Sequence, residues 1–497
     1  MNILLINPET PYTFWSFKNA LKFVSKKSSE PPLGLLTVAS MLPKKWEKKL
    51  VDMNVSKLND NDLEWADYAF ISGMDIQKTS FKKVVNRCNK IGLKVVAGGP
   101  MCTMDHEQFS GIDHFVLNEA EITLPMFLED LKNGTTKKVY KTNEFPDIRM
   151  TPAPMWELLE MKNYASMSIQ YSRGCPFNCE FCTIPILNGH IPRIKQKDQF
   201  LYELETLYRI GWRGGIFIVD DNFIGKKKIL KQSLLPAMIS WAKEKNYPFS
   251  YITETSINLA DDEELMQLMI DAGFDSTFIG IETVNDDSLA ECGKAQNQNR
   301  NLLKSVRRLQ KKGFIVSGGF IVGFDHDKED IFEKQINFIQ KSGIVTAMVG
   351  LLNAPLGTRL FNRLKKENRV IESITGDNTD GTINFLPKMN IDKLKNGYKK
   401  IVNTIYSPSE YYKRVITFLR EYKLPSIKRS TRVNLSGIKA FFKSIWVLGI
   451  FNKERKYYWK LLFHTLFNYP KKFALAVTMA IYGFHFRAVA DTVLKKA

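Results

Sequence analysis

An α/β protein in three parts is predicted: a doubly wound parallel sheet, then a partial (β/α)6 barrel, then a helical C-terminal region. Three observations predict it. Short apolar runs alternate with amphipathic stretches over residues 1–135, a second alternation runs over 166–365, and from 366 to 497 the alternation stops while apolar residues keep helical spacing. A chain of 497 residues exceeds one ordinary core, and 44% apolar with 25% charged residues is a globular composition.

In the first part, residues 3–6, 68–72, 94–97 and 114–117 are buried-strand candidates, and 80–91 shows a helical pattern between them. Turn-forming residues follow the strands: Asn7-Pro8, Ser72-Gly73, Gly98-Gly99-Pro100 and Asn118-Glu119-Ala120-Glu121. Ligands of doubly wound sheets bind at such carboxyl ends, so several of them offer close backbone approach to one large ligand. A flavodoxin-like module without a cofactor is the other reading. The opening Met1-Asn-Ile-Leu-Leu-Ile lacks a basic n-region and reads as a first strand, not a signal peptide. Residues 136–165 carry Pro146, Pro152 and Pro154 and read as a linker.

The second alternation starts with a strand at 166–170. A helix over 199–210 and a strand at 215–219 lead to Asp220-Asp221, and a strand at 250–253 leads to Glu254-Thr255-Ser256. After a helix over 261–272, a strand at 276–279 leads to Gly280-Ile281-Glu282, and strands at 314–323 and 347–352 close the series. Polar residues thus cluster at strand ends, the face that carries chemistry in such barrels. For each acidic residue a helix N-cap or solvated loop carboxylate is the alternative.

Between the first strand and its helix lies Cys175-Pro-Phe-Asn-Cys179-Glu-Phe181-Cys182, three soft ligands within eight residues. Structural zinc wants four protein ligands, and Cys88, Cys102 and Cys292 stand singly elsewhere. A 4Fe–4S cluster on three thiolates, with one iron left open, fits the count; a zinc knuckle completed by His190 is the alternative. Six cysteines so distributed form no disulfide framework and indicate a reducing compartment.

Cys-x3-Cys-x2-Cys with an aromatic before its last cysteine resembles the signature of radical S-adenosylmethionine (SAM) enzymes. The resemblance implies that Cys175, Cys179 and Cys182 hold the cluster, that the open iron chelates SAM, and that Phe181 borders the adenine. It places Asp220 and Asp221 beside the methionyl amino group, Glu254 and Ser256 near the ribose or carboxylate, and Gly280 and Glu282 near the adenine. Upstream, Pro31-Pro-Leu-Gly-Leu35 with Ser72, Gly73, Gly98, Gly99, Pro100, Asn118 and Glu119 resembles the cobalamin-binding domain of one large subclass. No Asp-x-His-x-x-Gly loop follows Asp113-His114, so the lower face of cobalt is expected to lack a histidine. Including Val219-Asp-Asp-Asn-Phe-Ile224 and Tyr482-Gly-Phe-His-Phe486, the whole chain is similar to the group containing the hopanoid C-2 methylases. That similarity implies radical chemistry from SAM, methyl transfer from cobalamin, and a reducing partner of flavodoxin or ferredoxin type. Tyr171 and Arg173, beside the cysteines, are candidates for substrate-side roles.

The net charge is +19, and from Lys388 onward 23 Lys and Arg face 5 Asp and Glu, a local net of +18. Interleaving with Trp, Phe and Tyr suits anionic lipid headgroups at least as well as nucleic acid. Residues 388–419 read as helix, followed by apolar runs at 437–451, 457–463 and 473–486 with Lys471-Lys472 and Lys495-Lys496 beside them. None holds the ~18–20 uninterrupted apolar residues of a bilayer span, so short helices in the headgroup plane, or a helical cap on the barrel, are expected. Together these features predict a cytoplasmic enzyme, peripheral on the membrane, that methylates an unactivated carbon of a lipid-like substrate of hopanoid or isoprenoid type. The alternatives are ring or carbon–carbon bond formation without net methylation, and a nucleic-acid modifier of the tRNA methylthiolation kind. The last would want a second cluster motif or an RNA-binding domain, and neither is evident.

Overall fold

Two parallel six-stranded sheets carry the chain to residue 351 and helices carry the rest; the structure, a computed structural model, describes residues 1–372, 374–425 and 435–496. The first sheet contains β1 (Asn2–Asn7), β2 (Glu47–Asp52), β3 (Tyr68–Ser72), β4 (Lys94–Gly98), β5 (His114–Val116) and β6 (Val139–Tyr140). Their spatial order is β2-β1-β3-β4-β5-β6, the doubly wound arrangement. Alternate residues of β1 serve opposite faces, Leu4 and Ile6 entering one core and Ile3 and Leu5 the other. The expected strands are present. Two more, β2 and β6, were not legible: β2 opens Glu-Lys-Lys and is half exposed as an edge strand, and β6 is two residues long.

The second sheet contains β7 (Ser166–Ile169), β10 (Gly214–Ile218), β11 (Phe249–Glu254), β12 (Phe274–Glu282), β13 (Ile315–Val322) and β14 (Ala347–Leu351), in sequential order and parallel throughout. β7 and β14 form its two edges, so the barrel is partial. A small antiparallel ribbon, β8 (Ser172–Arg173) with β9 (Arg193–Ile194), brackets the cysteine loop.

The C-terminal region is helical. Where one helix is expected over 388–419, two occur, Ile391–Tyr406 and Pro408–Glu421, because Ser407 is extended and Pro408 opens a new helix. The last apolar run is no short segment: Phe473–Lys496 is one continuous helix, and Pro470–Leu494 is long and apolar enough, by length and composition, to cross a membrane. Gly483 and His485 do not interrupt it. A Cβ on Gly483 would meet the Tyr411 ring at 2.3 Å, and the His485 ring bonds the Phe14 carbonyl at 2.9 Å, so both mark packing against the protein. Residues 426–434, within the expected C-terminal region, and the side chains of Lys495 and Lys496 lie outside the described part.

One core runs through barrel and C-terminal helices and takes in residues from the stretch after β1. There Phe14 stacks on Phe486 (4.4 Å between ring centres), and Trp15 meets Phe278 edge-on at 5.5 Å. The first part therefore reaches across the barrel to the last helix.

Candidate active site

The cysteine loop is held by the two aspartates that follow β10. Asp220, 1% exposed, accepts from the Tyr171 backbone N–H (2.7 Å) and the Ser172 hydroxyl (2.5 Å). Asp221 accepts from the Gly174 N–H (2.8 Å) and the Asn188 amide (2.9 Å). Burial pushes the Asp220 carboxyl up to about 7 and raises that of Asp221. Both oxygens of Asp220 are thus engaged by the loop itself, where resemblance set it beside a methionyl amino group. Gly174 is in a left-handed conformation (φ 95°), and a Cβ there would strike the Asn188 carbonyl at 2.9 Å, so the turn into Cys175 needs glycine. On the far side Arg363 makes a bidentate pair with Glu180 (2.7 and 3.0 Å), and the Glu180 N–H donates to the Cys292 carbonyl.

Burial raises all three thiols, Cys182 to about 12, with Cys179 raising Cys175, and both Cys175 and Cys179 raising Cys182. Free, they would be protonated; a positively charged metal group is what such a donor set fits. Among the described residues no three His, Cys, Asp or Glu side chains converge as ligands of a single ion. A cluster, whose thiolates bind different irons, requires no such convergence. His190, the fourth ligand of the zinc alternative, is exposed.

Lys294 supplies nearby positive charge. Its ammonium pairs with Glu282 (2.7 Å); burial works against its charge, but Glu282 and Cys179 hold its pKa above the ordinary value. Glu282 itself is at φ 61°, beside a register shift between Gly280 and Glu282. This uncommon backbone for a non-glycine residue folds its carboxylate back over Gly280, where a Cβ would lie 2.2 Å from Oε1. Glu254 ends β11 in register with Phe278; burial, with Asp221 and Glu30 adding to it, pushes its carboxyl up to about 8. Glu30, which no motif singled out, is itself pushed to about 7 by burial. Ser256 caps the following turn and bonds Asn258 (2.7 Å). Phe181, half-buried, faces Phe324 at 6.4 Å. Tyr171 is buried against Phe200 and Phe223, a core position and not a substrate-facing one.

A cavity separates the two sheets. Ser72, Gly98, Gly99, Pro100, Asn118 and Glu119 line one side, and Gln170, Arg173 and Asn188 of the cysteine loop region line the other. Gly34, from helix Leu33–Met41, also borders it, and a Cβ there would meet nothing within 4 Å, so open space adjoins this helix. Gly98 and Gly99 permit close strand ends: Cβ atoms there would lie 2.5 Å from the Val116 carbonyl and 2.3 Å from the Ser72 hydroxyl. A flat, large ligand with backbone contacts fits this floor. Gly73 is not brought into it; its Cα faces Met101, Gln77 and Phe81 of its own domain. Nor is His114, whose Nδ1 bonds the Lys137 carbonyl at 2.7 Å, and Asp113 accepts from the Val95 N–H.

An ion-pair network borders the cavity. Arg173 bonds Glu119 (2.6 Å) and Glu121 (2.9 Å), and Arg193 bonds Glu119 (2.6 Å). Burial opposes the Arg173 charge, but the two glutamates outweigh it and raise its pKa. Glu119 is therefore occupied as a strut between the domains, and Arg173 with it. Arg193 and Lys294 carried no sequence signal, since neither belongs to a motif.

Residues 169–339 match the family described as the radical SAM superfamily, and residues 358–497 match a domain of unknown function, DUF4070. An uncharacterized methyltransferase of Synechocystis sp. is 40% identical over 490 residues, covering 98% of this chain and 91% of that one. Hopanoid C-2 methylase of Rhodopseudomonas palustris is 31% identical over 475 residues, covering 93% and 89%. The structure of the cobalamin-dependent SAM radical enzyme OxsB with aqua-cobalamin and SAM bound is similar in fold, with TM-score 0.63, 15% identity, and coverage of 99% of this chain and 80% of that one.

Proposed function

The chain belongs to the cobalamin-binding radical SAM family, in the group that includes the hopanoid C-2 methylases, and from that premise we propose that it methylates an unactivated carbon of a lipid-like substrate of hopanoid or isoprenoid type. The observation that carries this reading is the cavity with strand ends of the first sheet on one side and the cysteine loop region on the other. When bound, the 4Fe–4S cluster with SAM supplies a hydrogen-abstracting radical, and cobalamin supplies the methyl group.

In this reading Cys175, Cys179 and Cys182 are the cluster ligands, and Asp220 and Asp221 keep their loop in place. Glu254, Ser256, Gly280, Glu282 and Phe181 border SAM, with Lys294 balancing charge near the thiolates. Ser72, Gly98, Gly99, Pro100 and Asn118 form the bed for the corrin, and Glu119 with Arg173 keeps that bed at a fixed distance from the cysteine loop. Trp15, Phe278 and Met348 form an apolar wall, Trp15 contacting both of the others. A hydrocarbon acceptor would lie against this wall. The enzyme works in the cytoplasm at the membrane surface and takes electrons from a flavodoxin or ferredoxin type donor.

The test is anaerobic purification with cobalamin supplied, followed by incubation of lipid extract with methyl-deuterated SAM. Label in a lipid product is expected. A product changed only in its hydrogen count would favour ring or carbon–carbon bond formation instead, and protein that retains no corrinoid would overturn the reading of the first domain.

A further inference from the structure

The helical hairpin after residue 434 packs one face into the protein and leaves the other bare. Helix Leu435–Ser444 runs on through a wider turn, Ile445–Phe451, and meets helix Arg455–Asn468. Its inner side is well built: Leu448, Tyr458, Leu461 and Leu462 are buried, the Ser444 and Tyr458 hydroxyls bond each other at 2.8 Å, and the Trp459 indole donates to the Gly449 carbonyl at 2.9 Å. The outer side is not a failed core but a second, separate apolar face. Ile438, Phe442, Trp446 and Ile450 recur every four residues along one stripe, with Phe442 64% and Trp446 60% exposed. Phe451, 65% exposed, rests against Trp446 at 4.9 Å, and Phe467 on the second helix is 80% exposed. Isolated exposed apolar residues need no explanation, whereas a contiguous aromatic stripe marks an interaction surface.

We propose that this face docks on an anionic bilayer, the aromatic stripe entering the boundary between headgroups and acyl chains. Charge selects that occupant. Lys439, Lys443, Lys453, Lys456 and Lys460 stand on the same hairpin, and within 435–468 the sole acidic residue is Glu454, which is paired with Arg487. A second copy brought face to face would set cations against cations. A surface of anionic headgroups over acyl chains complements both the lysines and the aromatics. The long last helix is a poorer candidate for this contact, since 56% of its apolar window is already buried in the protein.

Docking there has a consequence for the barrel. The Lys443 ammonium bonds the Lys22 carbonyl at 2.8 Å, so the hairpin leans on the stretch after β1 that also carries Trp15 over Phe278. One short segment therefore lies between the docked surface and the apolar wall. The inference deepens the lipid-substrate reading, on which it rests for its purpose, but its measurement needs no substrate.

The test is flotation of the full-length, cluster-loaded protein with vesicles of phosphatidylcholine alone or containing about one-third phosphatidylglycerol. Wild type should float with the anionic vesicles, and Phe442→Ser with Trp446→Ser should lower binding about tenfold or more while iron content and circular dichroism stay unchanged. Absence of anionic vesicle binding, or equal binding by the double variant, overturns the proposal. So does a stable dimer in light scattering that the same variant converts to monomer, which would assign the face to a second copy. Vesicle binding without any labelled lipid product would leave the surface standing and remove the lipid acceptor; labelled product without vesicle binding would do the reverse.

Discussion

Replacing Asp220 by alanine should cost the protein its cluster before it costs the barrel. The carboxylate is 1% exposed and satisfies two donors, the Tyr171 N–H and the Ser172 hydroxyl. An orphaned buried donor costs about 1–3 kcal/mol, so the pair amounts to about 2–6 kcal/mol. That cost falls on the segment leading into Cys175. Asp220→Asn retains an acceptor for Tyr171 and discards a charge that burial already disfavours. The sign follows from the raised carboxyl: against an ordinary 3.8, a folded value of about 7 means that its contribution to stability is complete below about pH 4 and is lost as the pH rises through 7. Asparagine does not titrate, so its advantage over aspartate should grow from pH 5 to pH 8. Iron and sulfide per chain after anaerobic reconstitution, with urea unfolding at several pH values, measure both effects. Asp220→Ala with a full complement of iron and unaltered stability would refute the claim that this side chain organises the loop.

Gly98→Ala must push β4 away from β5, because its Cβ would lie 2.5 Å from the Val116 carbonyl, a backbone atom; a loss of about 1–3 kcal/mol and reduced corrinoid retention on gel filtration are expected. Arg173→Ala strands Glu121, whose side chain is 7% exposed, with only the Thr151 hydroxyl as a side-chain partner. Breaking such a pair costs about 3–5 kcal/mol, and faster proteolysis within 136–165 should report the loosened domains. Asp325, paired with Arg369 (2.6 Å) and Arg363 (3.0 Å), has its carboxyl held down to about 2 despite its burial. Its contribution is therefore present above about pH 4 and lost as the pH falls toward 2, and Asp325→Asn should remove about 1–2 kcal/mol at neutral pH while flattening the acid limb of the stability curve.

Much of this molecule is legible in its residues because the relevant signals are local. Strand runs such as 68–72 and 94–97 announce themselves by unbroken apolarity, and the three cysteines by their spacing within eight positions. The same locality explains the misses. The edge strand Glu47–Asp52 is too charged to read as a strand, and the last helix passes through Gly483 and His485 because Tyr411 and the Phe14 carbonyl, far away in the chain, accommodate them.

Sequence by itself determined the order of the sheets, the thiol donor set and the polar strand ends, since each depends on residues a few positions apart. Tertiary structure alone decided what those residues are free to do. Asp220 and Glu119 look like ligand-binding carboxylates until the fold brings Tyr171 and Ser172 to one and Arg173 and Arg193 to the other. Glu30, Lys294 and Trp15 carry no local pattern, and matter only because of the groups distant in the chain that surround them. Burial and pairing are properties of where the chain returns to itself, and no window of neighbouring residues contains them.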